Sequence, residues 1–470
     1  MSTGRLIVVS NRVAVPDDNP ARAGGLAVAL RDALQANGGI WFGWSGKTTQ
    51  KSSTAPRFVD QDPVTYALVD LGRSDYNEYY NGFANRTLWP LFHYRMSLAE
   101  FDRQNYMTYR KVNSLFAQLA FPLIEPDDTL WVHDYHLIPF GGVLRDMGVT
   151  NRMGIFLHTP FPAMEVYRAL PSHARLAEAL MAYDVIGFQT ENDRRAFADY
   201  ITLEAGGTEA AGGLLQLGNR TTLAKVYPIG IDAPAMAQDS RHSVQTTAYR
   251  RLSKSLANRS LLLGVDRLDY SKGIPQRLAA FAHFIEKYPE HRGKVSLMQI
   301  APLSRSEVPE YKRMRDELER LSGNINGKFG DFDWMPIRWL TKNFQRSVLA
   351  GFMRQARIGL VTPMRDGMNL VAKEYVASQN PSDPGVLVLS TFAGAARELT
   401  RDEALLVNPY DQEDVADAIH LGLTMPLEER LERWTSMMDK ITTNSLDHWR
   451  DTILDDLRDA PYTPEALPSP

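Results

Sequence analysis

An α/β protein with two Rossmann-like parallel-sheet domains facing each other across a cleft is what this sequence predicts, and three observations predict it. Short apolar runs of strand composition alternate with helical patterns along nearly the whole chain, as expected of parallel sheets whose crossovers are helices. Some of these runs lead directly into loops rich in Gly, Arg, His and Asp, and in open α/β sheets ligands bind beyond the carboxyl ends of the strands. At 470 residues the chain is long for one domain and comfortable for two.

In the first half the strands are expected at Leu6–Ser10, Ile40–Trp44, Val64–Val69, Thr129–His133, Met153–His158, Val185–Phe188 and Lys225–Ile229. Each is a short apolar run between turn formers. A helix is expected over Gly25–Ala36. Residues 228–243, PIGIDAPAMAQDSRHS, turn to small residues and turn formers, which suits a hinge between domains 1–232 and 233–440. In the second half the strands are expected at Leu261–Val265, Val295–Ile300, Ile358–Val361, Val386–Leu389 and Leu405–Val407, with helices over Ile274–Lys287, Glu307–Leu321 and Asp414–Leu423. A helix over 441–458 is expected to return to the N-terminal domain. The proline-rich tail 459–470 has the composition of a disordered segment.

Composition narrows the function classes. Apolar content of 44%, charged content of 23% and a net charge of −4 are ordinary for a globular protein and give no reason to expect nucleic acid. The chain has no cysteine, which excludes disulfides and thiolate metal sites and is compatible with a reducing compartment. The apolar run near the N-terminus is too short for a signal-peptide core, and no stretch has membrane length. A cytoplasmic protein without membrane or nucleic-acid partners is expected.

The most informative segment is Ile358–Val376, IGLVTPMRDGMNLVAKEYV. It reads as a strand, a loop and a helix start, and free N–H groups at a helix start suit phosphate. Glu374 lies about one turn inside that helix, where its carboxylate can accept from a ribose diol, and Asp366 sits in the loop to meet sugar hydroxyls. The segment therefore reads as a nucleotide-sugar site. Arg12 just past the first strand and the pair Gly24-Gly25 at a helix start are anion-binding devices, although a Gly pair also serves as an ordinary turn. Arg267 and Lys272 share the loop after Leu261–Val265, where two cations can carry the charge of a departing diphosphate without a metal. Arg305 ends the next strand. His133 and His136 lie three apart but have no third ligand at suitable spacing, so zinc is not expected. The Asp60/Asp62 and Asp331/Asp333 pairs lie in turn-like contexts and are read as chance.

In order and spacing these motifs resemble the trehalose-6-phosphate synthases, retaining glycosyltransferases of the GT-B fold. The resemblance spans nearly the whole chain and is carried by SNR at Ser10–Arg12, AGGLA at Ala23–Ala27, WFGWSG at Trp41–Gly46, EYYNGFANRTLWPLFHYR at Glu78–Arg95 and WVHDYHL at Trp131–Leu137. It continues through FLHTPFP at Phe156–Pro162, GFQTENDR at Gly187–Arg194, RLDYSKG at Arg267–Gly273 and the segment above. It implies glucose transfer from a nucleotide donor, usually UDP-glucose, to glucose 6-phosphate, giving α,α-1,1-linked trehalose 6-phosphate. The domain 1–232 would bind the acceptor and 233–440 the nucleotide sugar.

Carried over by residue, the resemblance places the acceptor phosphate on Arg12 and Arg305 with Tyr80, acceptor hydroxyls on Asp134, and Trp89 as a pocket wall. It assigns His158 to the donor sugar, Arg267 and Lys272 to the diphosphate, and the backbone of Gly24 and Gly25 to donor and phosphate. Asp366 would hold donor-glucose hydroxyls, and the backbone of Met368, Asn369, Leu370 and Val371 would meet sugar and phosphate. Glu374 would take the ribose and Phe344 the base. Arg267, Lys272, His158, Asp134 and Asp366 form the expected catalytic set, with no cofactor and no metal. A homo-oligomer is compatible with the sequence, and the donor base is left open. The same scaffold also serves glucosylglycerol-phosphate synthases, pseudo-glycosyltransferases and non-catalytic sugar-phosphate sensors. Tyr80 and Trp89 favour a sugar acceptor, and the intact set from Arg12 to Glu374 favours catalysis.

Overall fold

A computed structural model describes residues 4–15, 30–31, 34–35, 38–304 and 308–460. The chain divides into two units. One is essentially the chain up to Pro228 together with Trp449–Pro470, and the other is essentially Ile229–His448.

The first unit is built on ten strands: β1 (Leu6–Arg12), β2 (Gly39–Thr49), β3 (Arg57–Gln61), β4 (Val64–Gly72), β5 (Thr129–His133), β6 (Met153–Phe156), β7 (Val185–Phe188), β8 (Thr208–Ala210), β9 (Leu214–Leu217) and β10 (Arg220–Val226). Their order is β3-β4-β2-β1-β5-β6-β7-β10-β9-β8. Pairing is parallel from β4 to β10, whereas β3, β9 and β8 add antiparallel hairpins at the edges. The central runs are apolar throughout because helices cover both faces of a parallel sheet; Ile7, Val8, Val132 and Phe156 are almost wholly buried. Register then decides what shares an edge. Ser10 pairs with His133 and His133 with Phe156, so Arg12, Asp134 and His158 leave the carboxyl ends of three adjacent strands.

The second unit is an all-parallel sheet of β11 (Ser260–Val265), β12 (Val295–Ile300), β13 (Ile337–Leu340), β14 (Ala356–Val361), β15 (Val386–Ser390) and β16 (Leu405–Val407), in the order β13-β12-β11-β14-β15-β16. The chain leaves β11 towards β12 on one side and returns as β14 on the other. The crevice of such a sheet opens at that reversal. Helix Ile274–Lys287 follows β11 and buries Leu278, Phe281 and Phe284 against Leu297 and Ile358 of the sheet. Helix Leu370–Ala377 follows β14.

Several expectations are corrected. Residues 233–243, expected as hinge, form helix Ala233–Ser243, because Asp232 caps Ala235 N at 2.9 Å and a proline occupies its first turn. The strand expected at Lys225–Ile229 lies earlier, at Arg220–Val226, where antiparallel pairing with β9 draws it out of an unremarkable polar run. The strand expected over Met153–His158 stops at Phe156, where the chain turns into the site. The helix expected over 441–458 is two, Leu427–Thr443 and Leu446–Asp459, broken at Asn444-Ser445, whose short polar side chains compete for backbone partners. The helix expected over Glu307–Leu321 spans Pro309–Phe329. Asp60 lies in β3 and accepts from Thr65 Oγ1 at 2.8 Å, and Asp333 pairs with Arg259 at 3.0 Å. Most of the helix expected at Gly25–Ala36, together with Glu307 and residues 461–470, lies outside the described residues. Among the described residues no helix is long and apolar enough to cross a membrane.

Candidate active site

In the first unit the candidate residues collect where β1, β5 and β6 end. Arg12 is exposed, and its guanidinium lies over Gly46. A Cβ on Gly46 would come within 2.9 Å of Arg12 Nε and 3.0 Å of Cζ, and Gly46 has φ +86°. Only glycine meets both demands without strain. Gly46→Ala is therefore expected to push Arg12 aside and weaken glucose 6-phosphate about tenfold, the scale of one charge-assisted phosphate contact. UDP affinity should stay unchanged. Calorimetric titration with each ligand checks this, and equal loss for both would break the link to Arg12.

Asp134 follows β5 with φ 73° and ψ 167°, a conformation that a side-chain-bearing residue keeps only when its surroundings impose it. Its backbone N–H donates to Phe156 O at 2.8 Å, and its Oδ1 accepts from His158 N at 3.1 Å. The two motif loops after β5 and β6 are thus joined. Tyr80 lies in a π-wound helical segment, Tyr76–Leu88, and stacks on His136 with ring centroids 5.7 Å apart. Trp89 is buried, with its ring 4.0 Å from that of His93 and 5.9 Å from that of Tyr135.

The histidine pair that spacing suggested is not the pair the fold makes. His133 Nδ1 lies 3.2 Å from His158 Nε2, while His136 is turned towards Tyr80. Burial pushes His158 down to about 3 and, together with the neighbouring His158, holds His133 well below the ordinary imidazole range. Both rings are neutral at physiological pH. His133 Nε2 is buried with no hydrogen-bond partner among the described residues, and an orphaned buried acceptor is tolerated better than an orphaned N–H. One of the two facing nitrogens, His133 Nδ1 or His158 Nε2, donates to the other. Trp449 of the C-terminal helix closes this cluster, with its ring 5.0 Å from Trp131 and 6.2 Å from His158. Nothing in the sequence near Trp449 marks it for this place.

In the second unit the loops after β11 and β14 lie side by side, and two sequence-predicted residues 94 positions apart meet there. Lys272 Nζ donates to Asp366 Oδ2, which also accepts from Asn369 Nδ2 at 3.0 Å. Asn369 has φ 72° and precedes helix Leu370–Ala377 without a side-chain cap, so backbone N–H groups of that first turn remain for an anion. Gly394 permits the loop to pass close by, since a Cβ there would lie 1.8 Å from Gly367 O. Arg267 is turned towards Asp269, with Nη2 3.6 Å from Oδ2. Asp269 is buried, accepts from Ser271 N at 3.0 Å and holds the loop in its turn. Phe344 packs edge-on against Phe352, centroids 5.3 Å apart, in the segment after β13. Gly24, Gly25 and Arg305 lie outside the described residues.

Glu374 is half-buried within helix Leu370–Ala377. Burial raises its carboxyl above the ordinary glutamate value, against the lowering influence of Arg346. Because the unfolded chain gives up this proton first, the stability contributed by the protonated group is lost as pH rises from the ordinary value through the raised one. Glu374→Gln is expected to flatten that slope and leave the free chain no less stable at neutral pH. It should still weaken UDP about ten- to a hundredfold, because an amide accepts fewer and weaker bonds from two hydroxyls. Thermal unfolding against pH, paired with UDP titration, reads both effects. Unchanged UDP affinity would refute the ribose assignment.

Two α/β units, one of them a parallel sheet with a lysine, a carboxylate and an open helix start at its reversal point, are the makings of a GT-B glycosyltransferase. The model of glycosyltransferase family 20 matches residues 5–459, and the chain belongs to that family. It is 49% identical to the trehalose-6-phosphate synthase of Cronobacter sakazakii over 98% of this chain and 97% of that protein. A solved UDP-forming alpha,alpha-trehalose-phosphate synthase from Burkholderia xenovorans in complex with glucose-6-phosphate superposes with a TM-score of 0.93 at 48% identity, covering 97% of this chain and all of that one. The trehalose-6-phosphate enzyme from E. coli bound with UDP-2-fluoro glucose superposes with a TM-score of 0.93 at 46% identity, covering 97% and 99% of the two chains.

Proposed function

We propose that this chain transfers glucose from UDP-glucose to the anomeric hydroxyl of glucose 6-phosphate with retention, forming α,α-trehalose 6-phosphate and UDP. The observation that carries the reading is the Lys272–Asp366–Asn369 cluster at an uncapped helix start, in a chain matched end to end by enzymes of that name. In this reading Arg12, Arg305 and Tyr80 take the acceptor phosphate, Asp134 takes acceptor hydroxyls and Trp89 walls the pocket. His158 contacts the donor sugar, and Gly24 and Gly25 approach donor and phosphate through their backbone. Asp366 accepts from donor-glucose hydroxyls, the backbone of Met368 to Val371 meets sugar and phosphate, Glu374 takes the ribose, and Phe344 contacts the base.

Transfer then proceeds on one face of the sugar. The bond from the anomeric carbon to the diphosphate oxygen breaks as the bond to the acceptor oxygen forms, through an oxocarbenium-like transition state. The acceptor proton passes to the departing phosphate oxygen. Arg267 and Lys272 answer the charge growing on the leaving group, so the step needs no divalent ion. A panel of UDP-, ADP- and GDP-glucose with glucose 6-phosphate or glycerol 3-phosphate, with the product linkage read by NMR, tests the reading. UDP-glucose with glucose 6-phosphate is expected to give the fastest turnover and an α,α-linkage. Preference for glycerol 3-phosphate would make the chain a glucosylglycerol-phosphate synthase, and no turnover with any pair would make it a sensor.

A further inference from the structure

We propose that the second unit carries a surface site for a borderline dication of the zinc type, held by Glu290, His291 and His420. Glu290 and His291 lie in the turn Pro289–His291 that precedes β12, and His420 lies near the end of helix Gln412–Thr424. His291 Nε2 is 3.1 Å from His420 Nδ1, and His420 Nδ1 is 3.9 Å from Glu290 Oε1. The three donor atoms all fall within 4.8 Å of one another. A tetrahedral zinc ion with bonds of about 2.0–2.1 Å sets its ligand atoms roughly 3.3 Å apart, so the imidazole pair already stands at ligand spacing. A small rotation of the exposed Glu290 brings in the third. Two imidazoles and one carboxylate form a donor set that zinc takes with a water in the fourth position.

The rings are held in place before any ion arrives. His420 lies flat on Tyr288, with centroids 4.0 Å apart and planes 7° from parallel, and His291 packs on Phe284 at 5.1 Å. Tyr288 OH in turn donates to Asp417 Oδ1 at 2.9 Å. Of the cations nearby, Lys287 is occupied by Glu413 and Asp417 at 2.8 and 2.7 Å. Lys294 adds a repulsive influence on His291, and Glu290 opposes it. Binding requires only that the proton between the two rings move to the far nitrogen of its own ring.

The turn before β12 and the end of the helix after β16 lie at the amino-terminal edge of the parallel sheet, the edge opposite Lys272 and Asp366. An ion there would tie two segments of the unit together without entering the transfer chemistry, and nothing in this inference rests on the proposed reaction. The test uses the full untagged chain, stripped with chelator and titrated with zinc chloride by calorimetry, with thermal unfolding as a second readout. Wild type should bind one zinc and unfold at a higher temperature with it. His420→Ala and His291→Gln should each weaken zinc at least about tenfold, since even loss of an outer partner costs that much, and should abolish the thermal shift. Both substitutions touch packed rings, so Glu290→Gln supplies an exposed variant, expected to keep the metal-free unfolding temperature and bind zinc more weakly. No zinc uptake by wild type, or wild-type stoichiometry and affinity in the variants, would overturn the site.

Discussion

Lys272→Ala is expected to lower kcat about 10²- to 10³-fold while the KM for glucose 6-phosphate changes little, the scale of removing one preorganised group that meets charge only as it develops. The side chain of Lys272 is largely buried, with 13% exposed, and its ammonium is positioned by Asp366, which is 14% exposed. Little water competes for the pair, and the ammonium needs little reorganisation when the diphosphate departs. Lys272→Arg should rescue poorly, because a planar fork does not occupy the place of a compact point charge. Wild-type turnover should also survive EDTA, since in the proposed mechanism side chains answer the charge. Steady-state kinetics with and without chelator measures both. A nearly silent Lys272→Ala, combined with activity abolished by EDTA and restored by stoichiometric metal, would replace this account with a metal-assisted one.

Arg277→Met is expected to destabilise the second unit by about 3–5 kcal/mol, the usual cost of leaving one member of a buried ion pair alone. Arg277 is almost wholly buried beneath the loop that carries Arg267 and Lys272. Its Nη1 donates to Asp266 Oδ2 at 2.5 Å and Gln299 Oε1 at 2.9 Å, Nε donates to Thr362 Oγ1 at 2.9 Å, and Nη2 reaches Lys272 O at 3.3 Å. One guanidinium thus ties together the loops after β11 and β14 and the body of β12. A positioning role and a purely structural one separate in the double variant Asp266→Leu with Arg277→Met. Removing both charges should return much of the stability, whereas kcat should stay low because the carbonyl of Lys272 has lost its support. Denaturant unfolding and kinetics on the same samples decide it, and a double variant with wild-type kcat would reduce Arg277 to a stability residue.

Strands buried on both faces were legible because their composition alone carries the signal. Thr129–His133, Val185–Phe188, Val295–Ile300 and Leu405–Val407 begin and end where the apolar runs do, as does helix Ile274–Lys287. The edge strands Arg57–Gln61, Thr208–Ala210 and Ile337–Leu340, and Leu214–Leu217 next to the edge, were not anticipated. RFVDQ and TEA are mostly exposed, and they are strands because a neighbour's backbone pairs with theirs, an interaction to which side-chain patterning contributes little. The helix at 233–243 was concealed by its small residues, which read equally well as hinge until the cap at Asp232 is seen to close.

By itself the sequence determined the fold class, the family and the positions of the candidate residues at strand ends, because strand, loop and helix start are contiguous in the chain and their order survives without coordinates. Which side chains meet was decided only by the tertiary structure. Lys272 finds Asp366 across 94 positions, His133 pairs with His158 and not with His136, and Arg277 gathers partners from β12 and from the loops after β11 and β14. Trp449 closes the first unit's site from the far end of the chain. The physical reason is that burial follows local periodicity, whereas pairing follows sheet order and register. Those are set by the packing of the whole parallel sheet, and a strand's own residues do not state which strand will lie beside it.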